Sequence, residues 1–244
     1  MAVCCKTLLM KNDHKLVILI GSPGSGKGTQ AHLLEQKKKM LHLEASKLLE
    51  KKFLTPHKED IIETKNGSYS LDQQKKLWSD GHLCEDGFVA AVIEEGVEKI
   101  KRGVDLILLD GFPRSLKQAE LAVPFLLSFY SPQDILVLAL DVSEEESLKR
   151  NSSRRVCSLM RHSIISHPET EKLTICPVDG SPLERRILDN KETIVVRLQE
   201  FKRLTAPVVD YFEERGVRVA RIDGAGTISD VFDKVIKEVN DFGV

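Results

Sequence analysis

Residues 16–36 read LVILIGSPGSGKGTQAHLLEQ, and this stretch decides the fold. LVILI is a short aliphatic run closed by glycine, the pattern of a strand covered on both faces. QAHLLEQ is compatible with a helix. Between them lies GSPGSGKGTQ, residues 21–30. Glycines let a backbone wrap closely around phosphate oxygens, because a Cβ would intrude and several such positions need positive φ. Strand, glycine-rich loop and helix N-terminus, in that order, make a phosphate cradle: bare N–H groups and the helix dipole both favour an anion. Gly24, Ser25, Gly26, Lys27, Gly28 and Thr29 are the candidate nucleotide-binding residues, with Lys27 reaching the terminal phosphates. The strict pattern G-x-x-x-x-G-K-[ST] is missed by one residue, since position 28 is Gly and the hydroxyl arrives at Thr29.

Further buried-strand patterns follow at LILLD (106–110), ILVLALD (135–141) and VRVARI (217–222), with LHL (41–43) as a weaker fifth. Between them run amphipathic patterns. Phe88, Val89, Val92, Ile93, Val97 and Ile100 share one helical stripe, and so do Ile228, Val231, Phe232, Val235, Ile236 and Val239. Apolar strands alternating with helices predict an α/β fold, a three-layer sandwich with a five-stranded parallel sheet, over a single domain spanning 1–244. Two regions break the alternation. Residues 44–85 are polar and mainly helical in pattern, with Pro56 and a turn at Asn66-Gly67. Residues 150–190 are rich in Arg, Ser and Pro. Long inserts at the C-terminal ends of parallel strands are where such folds handle ligands.

The formal net charge of −1 gives no field that would draw in nucleic acid or an anionic membrane. No apolar run has the length to span a bilayer, and the TLLM near the N-terminus is too short for a signal-peptide core. Cys4 and Cys5 lie in no recognised lipidation pattern. The odd count of 5 cysteines, with no paired framework, suits a reducing compartment. The expectation is a cytoplasmic protein without nucleic-acid or membrane partners.

LILLDGFPRS (106–115) carries the second motif, a buried strand ending in Asp110 and followed by Gly111, Phe112, Pro113 and Arg114. A strand-terminal acid is what holds the water shell of Mg²⁺ beside a phosphate cradle. The two motifs together resemble the nucleoside monophosphate kinases, and the adenylate kinases most closely. That resemblance runs over roughly residues 15–240 and implies Mg²⁺ with ATP, and AMP or another nucleoside monophosphate as acceptor. It places Gly111 along the acceptor nucleotide, Arg114 on the acceptor's α-phosphate and Gln118 on its base. RNSSRRV (150–156) resembles the family's entry to a closing lid, which puts Arg150 on the donor adenine and Arg154 on phosphates. ERRILDNKETIVVRL (184–198) resembles the lid exit, with Arg186 and Arg197 as further phosphate-gripping groups. Gly226 falls beside the donor base. The implied catalytic set is Lys27, Asp110, Arg114, Arg154, Arg186 and Arg197. Phosphoryl transfer passes through a dispersed negative charge, so planar guanidinium forks and positioning supply what it needs. The same resemblance reads 44–85 as an acceptor-binding arm and 150–190 as the lid.

The chain also departs from the family. Where the family reads H-I-S-T-G-D-x-L-R, this chain reads HLEASKLLE (42–50). The threonine near the acceptor base becomes Ala45, and the arginine for the acceptor phosphate becomes Glu50. In the lid, the positions that hold structural zinc in many relatives read Cys157, Met160, Cys176 and Asp179. A thioether is a weak neutral ligand for Zn²⁺, so the expectation is a lid without metal, with His162 or His167 as the substitutes that would reverse it. One of two lid carboxylates becomes Leu188, leaving Asp189. Three readings stay open: a monomeric, cytosolic adenylate kinase making two ADP reversibly from ATP and AMP, a kinase for another monophosphate, and a catalytically weak nucleotide-binding protein.

Overall fold

A computed structural model describes residues 14–55, 60–100, 104–164, 170–185 and 189–244. Cys4, Cys5, Pro56, His167, Arg186 and Leu188 lie outside the described residues. The chain opens with β1 (Lys15–Gly21), α1 (Lys27–Lys38), β2 (Leu41–Glu44) and α2 (Ala45–Leu54). A hairpin of β3 (Ile61–Thr64) and β4 (Gly67–Ser70) follows, then α3 (Leu71–Ser79) and α4 (Asp86–Ile100). Next come β5 (Leu106–Asp110), α5 (Leu116–Leu127), β6 (Ile135–Asp141) and α6 (Glu144–Ser153). Short strands β7 (Arg155–Cys157), β8 (Ser163–Ile164) and β9 (Leu183–Glu184) precede α7 (Lys191–Glu200), a π-helical turn (Phe201–Thr205) and α8 (Ala206–Glu213). β10 (Arg218–Asp223) and α9 (Ile228–Asp241) close the fold.

The central sheet has five strands, all parallel, in the order β10-β6-β1-β5-β2. Each expected strand is present, LHL included, and the last begins one residue later than its apolar run, at Arg218. β1 is at the centre, and its alternate side chains enter two different cores. Leu16, Ile18 and Ile20 pack with α4, α5 and α8 through residues such as Phe88, Ile93, Val123 and Phe212. Val17 and Leu19 pack with α1 and α9 through Leu34, Val231, Val235 and Val239. A continuous apolar run is therefore what a strand buried on both faces requires. α9 starts cleanly because Thr227 and Asp230 form a reciprocal capping box.

Residues 44–85 differ from the helical expectation. α2 and α3 are there, but the β3–β4 hairpin stands between them, turning through Lys65 and Asn66 with Thr64 opposite Gly67. Its strands are only 4 residues each, too short for an alternation to register in the sequence. Contacts distant along the chain fix it. Tyr69 packs on Phe88 with ring centroids 5.9 Å apart, and Asp60 accepts hydrogen bonds from the Ser70 hydroxyl and the Asp72 amide. The second insert carries β8-β7-β9 as an antiparallel three-stranded sheet. No described helix is long and apolar enough to cross a membrane.

Candidate active site

Beyond the end of β1 the chain turns through residues 22–26 before α1 begins. Gly24 and Gly26 have φ of 78° and 93°, a conformation that other residues adopt only under strain. At Gly24 a Cβ would lie 2.6 Å from Asn151 Nδ2 on α6. At Gly26 and Gly28 it would meet no protein atom within 4 Å, so these two keep the backbone bare where the loop lines a cleft. The Lys27 ammonium donates to the carbonyl oxygens of Gly21 (2.6 Å) and Ser22 (2.8 Å). Burial pulls its pKa from the usual 10.5 to about 7; Asp110 opposes the shift, and Arg114, Arg197 and Arg154 add to it.

That shift has a testable sign. Between pH 7 and 10.5 the unfolded chain keeps the Lys27 proton while the nucleotide-free folded chain sheds it. Stability therefore rises with pH across this window. A bound polyphosphate favours the ammonium and draws the pKa back up. Nucleotide binding at pH 8 is expected to take up a fraction of a proton, read by calorimetry in two buffers of different ionisation enthalpy. A Lys27→Ala protein should lose that uptake, and equal uptake in both proteins would discard the assignment.

The cleft lies where the C-terminal ends of β1 and β5 meet the second insert. It is lined by Gly24, Gly26, Lys27, Gly28 and Thr29 from the loop, and by Asp110, Gly111 and Arg114 after β5. Arg150, Arg154 and Arg197 line it from α6, the residue after α6, and α7. Asp110 is nearly buried, with the His42 imidazole 3.8 Å away. Gly111 has φ 76°, and a Cβ there would sit 2.7 Å from the Arg114 guanidinium. Arg114 donates through Nε to the Gly111 carbonyl at 2.7 Å, and its own carbonyl accepts from Thr205. Asp189, its side chain 2% exposed, takes both prongs of Arg154 at 2.8 and 2.6 Å and stands 3.5 Å from Arg197. One buried carboxylate thus holds two of the guanidiniums in place, although its sequence neighbour is Leu188.

Not every expected residue lines the cleft. Ser25 is buried behind the loop, near Lys27, and Gly226 is absent from the lining. Gln118 is 1% exposed, and its Oε1 accepts the Arg114 amide at 2.8 Å instead of facing the cleft. Arg186 lies outside the described residues. Ala45 is buried at the start of α2, and Glu50, further along α2, is not among the residues lining the cleft. Residues missed by motif reading also contribute: Glu44, Trp78, His82, Phe201 and Thr205. A signal existed for one of them, since Trp78 is the chain's single tryptophan and sits in a mainly polar helix.

A family model described as "Adenylate kinase" matches residues 19–217, which include the loop, the β5 turn and the arginines around Asp189. The chain belongs to the adenylate kinase family. It is 32% identical over 230 residues to the adenylate kinase of Methanothrix thermoacetophila, covering 93% of this chain and 99% of that one. Similarity to the adenylate kinase of Clostridium tetani is 32% (90% and 95% covered), and to that of Staphylococcus aureus 33% (90% and 96% covered). Membership makes the chain a nucleotide kinase, a transferase that binds ATP-type nucleotides.

Against other adenylate kinase sequences Met160 looked like a lost metal ligand, but the fold gives its place to another residue. Met160 is 56% exposed, whereas His162 turns inward. Cys157 Sγ, His162 Nδ1, Cys176 Sγ and an Asp179 oxygen all lie within 4.8 Å of one another. Backbone amides of His162 and Val178 donate to the two sulfurs at 3.1 and 3.4 Å. Hydrogen bonds from the Cys157 thiol and from Ser181 hold the Asp179 carboxyl well below the usual carboxylate range. Two sulfurs, an imidazole and a carboxylate at these separations fit a tetrahedral Zn²⁺. The expectation of a metal-free lid therefore loses its ground, which was the weak donor at Met160.

Proposed function

We propose that the protein catalyses the reversible transfer of the γ-phosphoryl group of Mg²⁺·ATP to AMP, giving two ADP. The observation that carries this reading is the convergence of Lys27, Arg114, Arg154 and Arg197 on one cleft that also exposes the glycine loop. Four fixed cations suit the spread negative charge of a phosphoryl group passing between two phosphate oxygens. The acceptor oxygen is already an anion, so no general base is required. In this reading the loop and Arg150 bind the donor, Gly111 and Arg114 bind the acceptor, and Arg154 and Arg197 bridge them. Asp110 and the Thr29 hydroxyl form an oxygen-only pair in the cleft that suits Mg²⁺, which when bound neutralises charge on the transferred phosphates. Residues 44–85 act as the acceptor arm. Residues 150–190 act as a lid that excludes water and so suppresses hydrolysis, with Cys157, His162, Cys176 and Asp179 holding Zn²⁺ as its structural crosslink.

A second reading, another monophosphate as acceptor, is favoured by Ala45 and by the engagement of Gln118 with the Arg114 amide. The experiment is transfer from Mg²⁺·ATP to AMP, GMP, CMP, UMP and dTMP, with products separated by chromatography. ADP formation from AMP supports the first reading. Turnover confined to a different acceptor replaces it with the second, and no turnover despite ATP binding removes both.

A further inference from the structure

We propose that Trp78 is the platform on which the acceptor's base stacks, and that the acceptor site takes purine nucleoside 5′-monophosphates as a class. The base is read by its face and not by its hydrogen-bonding edge. This inference rests on the kinase reading of the cleft and names the acceptor class.

The sheet order separates the two ends of the cleft. β1, which delivers the glycine loop, lies between β6 and β5. α6 with Arg150 follows β6 on one side, while Gly111 and Arg114 follow β5 on the other. Trp78 lines the cleft together with Gly81, His82 and Leu83, on the segment that leads into α4, whose packing is with α5 and the β5 face of the sheet. The indole is supported from behind. Phe53 lies 6.0 Å away at 58°, and Phe53 stacks on Phe88 at 6.2 Å and 14°. Trp78 is thus a half-buried aromatic, braced on one side and open to the cleft on another.

Several groups that could read a base edge at this end already have a partner or charged neighbour within the chain. Gln118 is buried with its carbonyl on the Arg114 amide, and residue 45 has only a methyl group. The Glu44 carboxylate accepts from the Ser46 hydroxyl and pairs with Lys47 at 3.2 Å, and His82 stands 4.0 Å from Glu200. An aromatic face accepts any base, because every base has a π-face, and overlap grows with ring area. Two-ring bases are therefore held more tightly than one-ring bases, with little discrimination between adenine and guanine.

Trp78 is the chain's one tryptophan, so its own fluorescence reports on the site. AMP and GMP should quench it with dissociation constants within about threefold of each other, and CMP and UMP should bind about tenfold more weakly. Ribose 5-phosphate should compete with AMP without quenching. Trp78→Leu should raise KM for AMP and GMP about tenfold or more, leave KM for ATP and the ribose 5-phosphate Ki unchanged, and Trp78→Phe should restore most of the loss. Exclusion of GMP by a hundredfold relative to AMP would overturn the inference, as would an acceptor KM unmoved by Trp78→Leu, with the kinase reading intact in both cases. The wild-type base series decides the matter even if the leucine variant does not fold. Absence of transfer to every monophosphate, with ATP still bound, would remove the kinase reading and this inference with it.

Discussion

Lys27→Ala should lower the rate of phosphoryl transfer on the order of a thousandfold, while leaving the fold and the lid metal content unchanged. The magnitude reflects the contribution of fixed cations to phosphoryl transfer, where positioning and charge are nearly all that a protein supplies. Lys27 is the first residue of α1, and its ammonium bonds back to the carbonyl oxygens of Gly21 and Ser22. The ammonium is therefore held inside the loop's own curve, where the terminal phosphates of a bound nucleotide would lie. Alanine is a good helix former, so α1 should survive the change. Arginine is no substitute, because a planar fork on a longer stem cannot occupy the compact, buried place of an ammonium. A steady-state assay with Mg²⁺·ATP and the preferred acceptor checks this. Activity within tenfold of wild type would show that the transferred group does not pass beside Lys27.

The second large effect concerns the lid. Protein produced with ample zinc is expected to carry one equivalent per chain, and cobalt substitution should give the thiolate charge-transfer bands of a tetrahedral sulfur-containing site. His162→Ala should weaken zinc binding at least about a hundredfold, since it removes a direct ligand whereas outer-shell losses alone cost about 10- to 100-fold. Met160→Ala should leave affinity unchanged, because Met160 is exposed and the four donors are Cys157, His162, Cys176 and Asp179. Chelation should lower the melting temperature by several degrees, as the short strands β7, β8 and β9 have little buried apolar area of their own. Equal zinc content in the His162 and wild-type proteins would discard this donor set.

The central fold was legible because the inner strands β1, β5 and β6 are buried on both faces, so their residues form unbroken apolar runs bounded by turn residues. LVILI and LILLD need no tertiary information to be read as strands of a parallel sheet. The glycine loop and the D-G-F-P-R turn were legible for a related reason: backbone conformations such as those of Gly24, Gly26 and Gly111 restrict the residue type directly. Other features were decided by contacts distant along the chain. The β3–β4 hairpin depends on Tyr69 meeting Phe88, and Gln118 turns from the cleft because the Arg114 amide is nearer. The choice of His162 over Met160 depends on where the turn after β7 points, which a two-residue spacing pattern does not contain.

The π-helical turn has a consequence for angular phase. Ile194, Leu198, Thr205, Val209 and Phe212 are all buried, and on an unbroken α-helix of 3.6 residues per turn they would form one stripe facing one wall. The chain instead inserts a wider turn, in which the Ala206 amide bonds to the carbonyl of Phe201, five residues back. One extra residue in a turn rotates the downstream helix by about 100° relative to the upstream one. The two halves of the stripe can therefore serve different neighbours: α7 packs against α6, and α8 against α5, β6 and β10. A single-residue deletion within Phe201–Thr205 would remove the wide turn and leave a continuous α-helix in which α7 and α8 keep the relative phase they have here. The core contact of α8 and the orientation of Arg197 would then both be kept, whereas tightening the turn to regular α-helix without a deletion would rotate one of them away by about 100°.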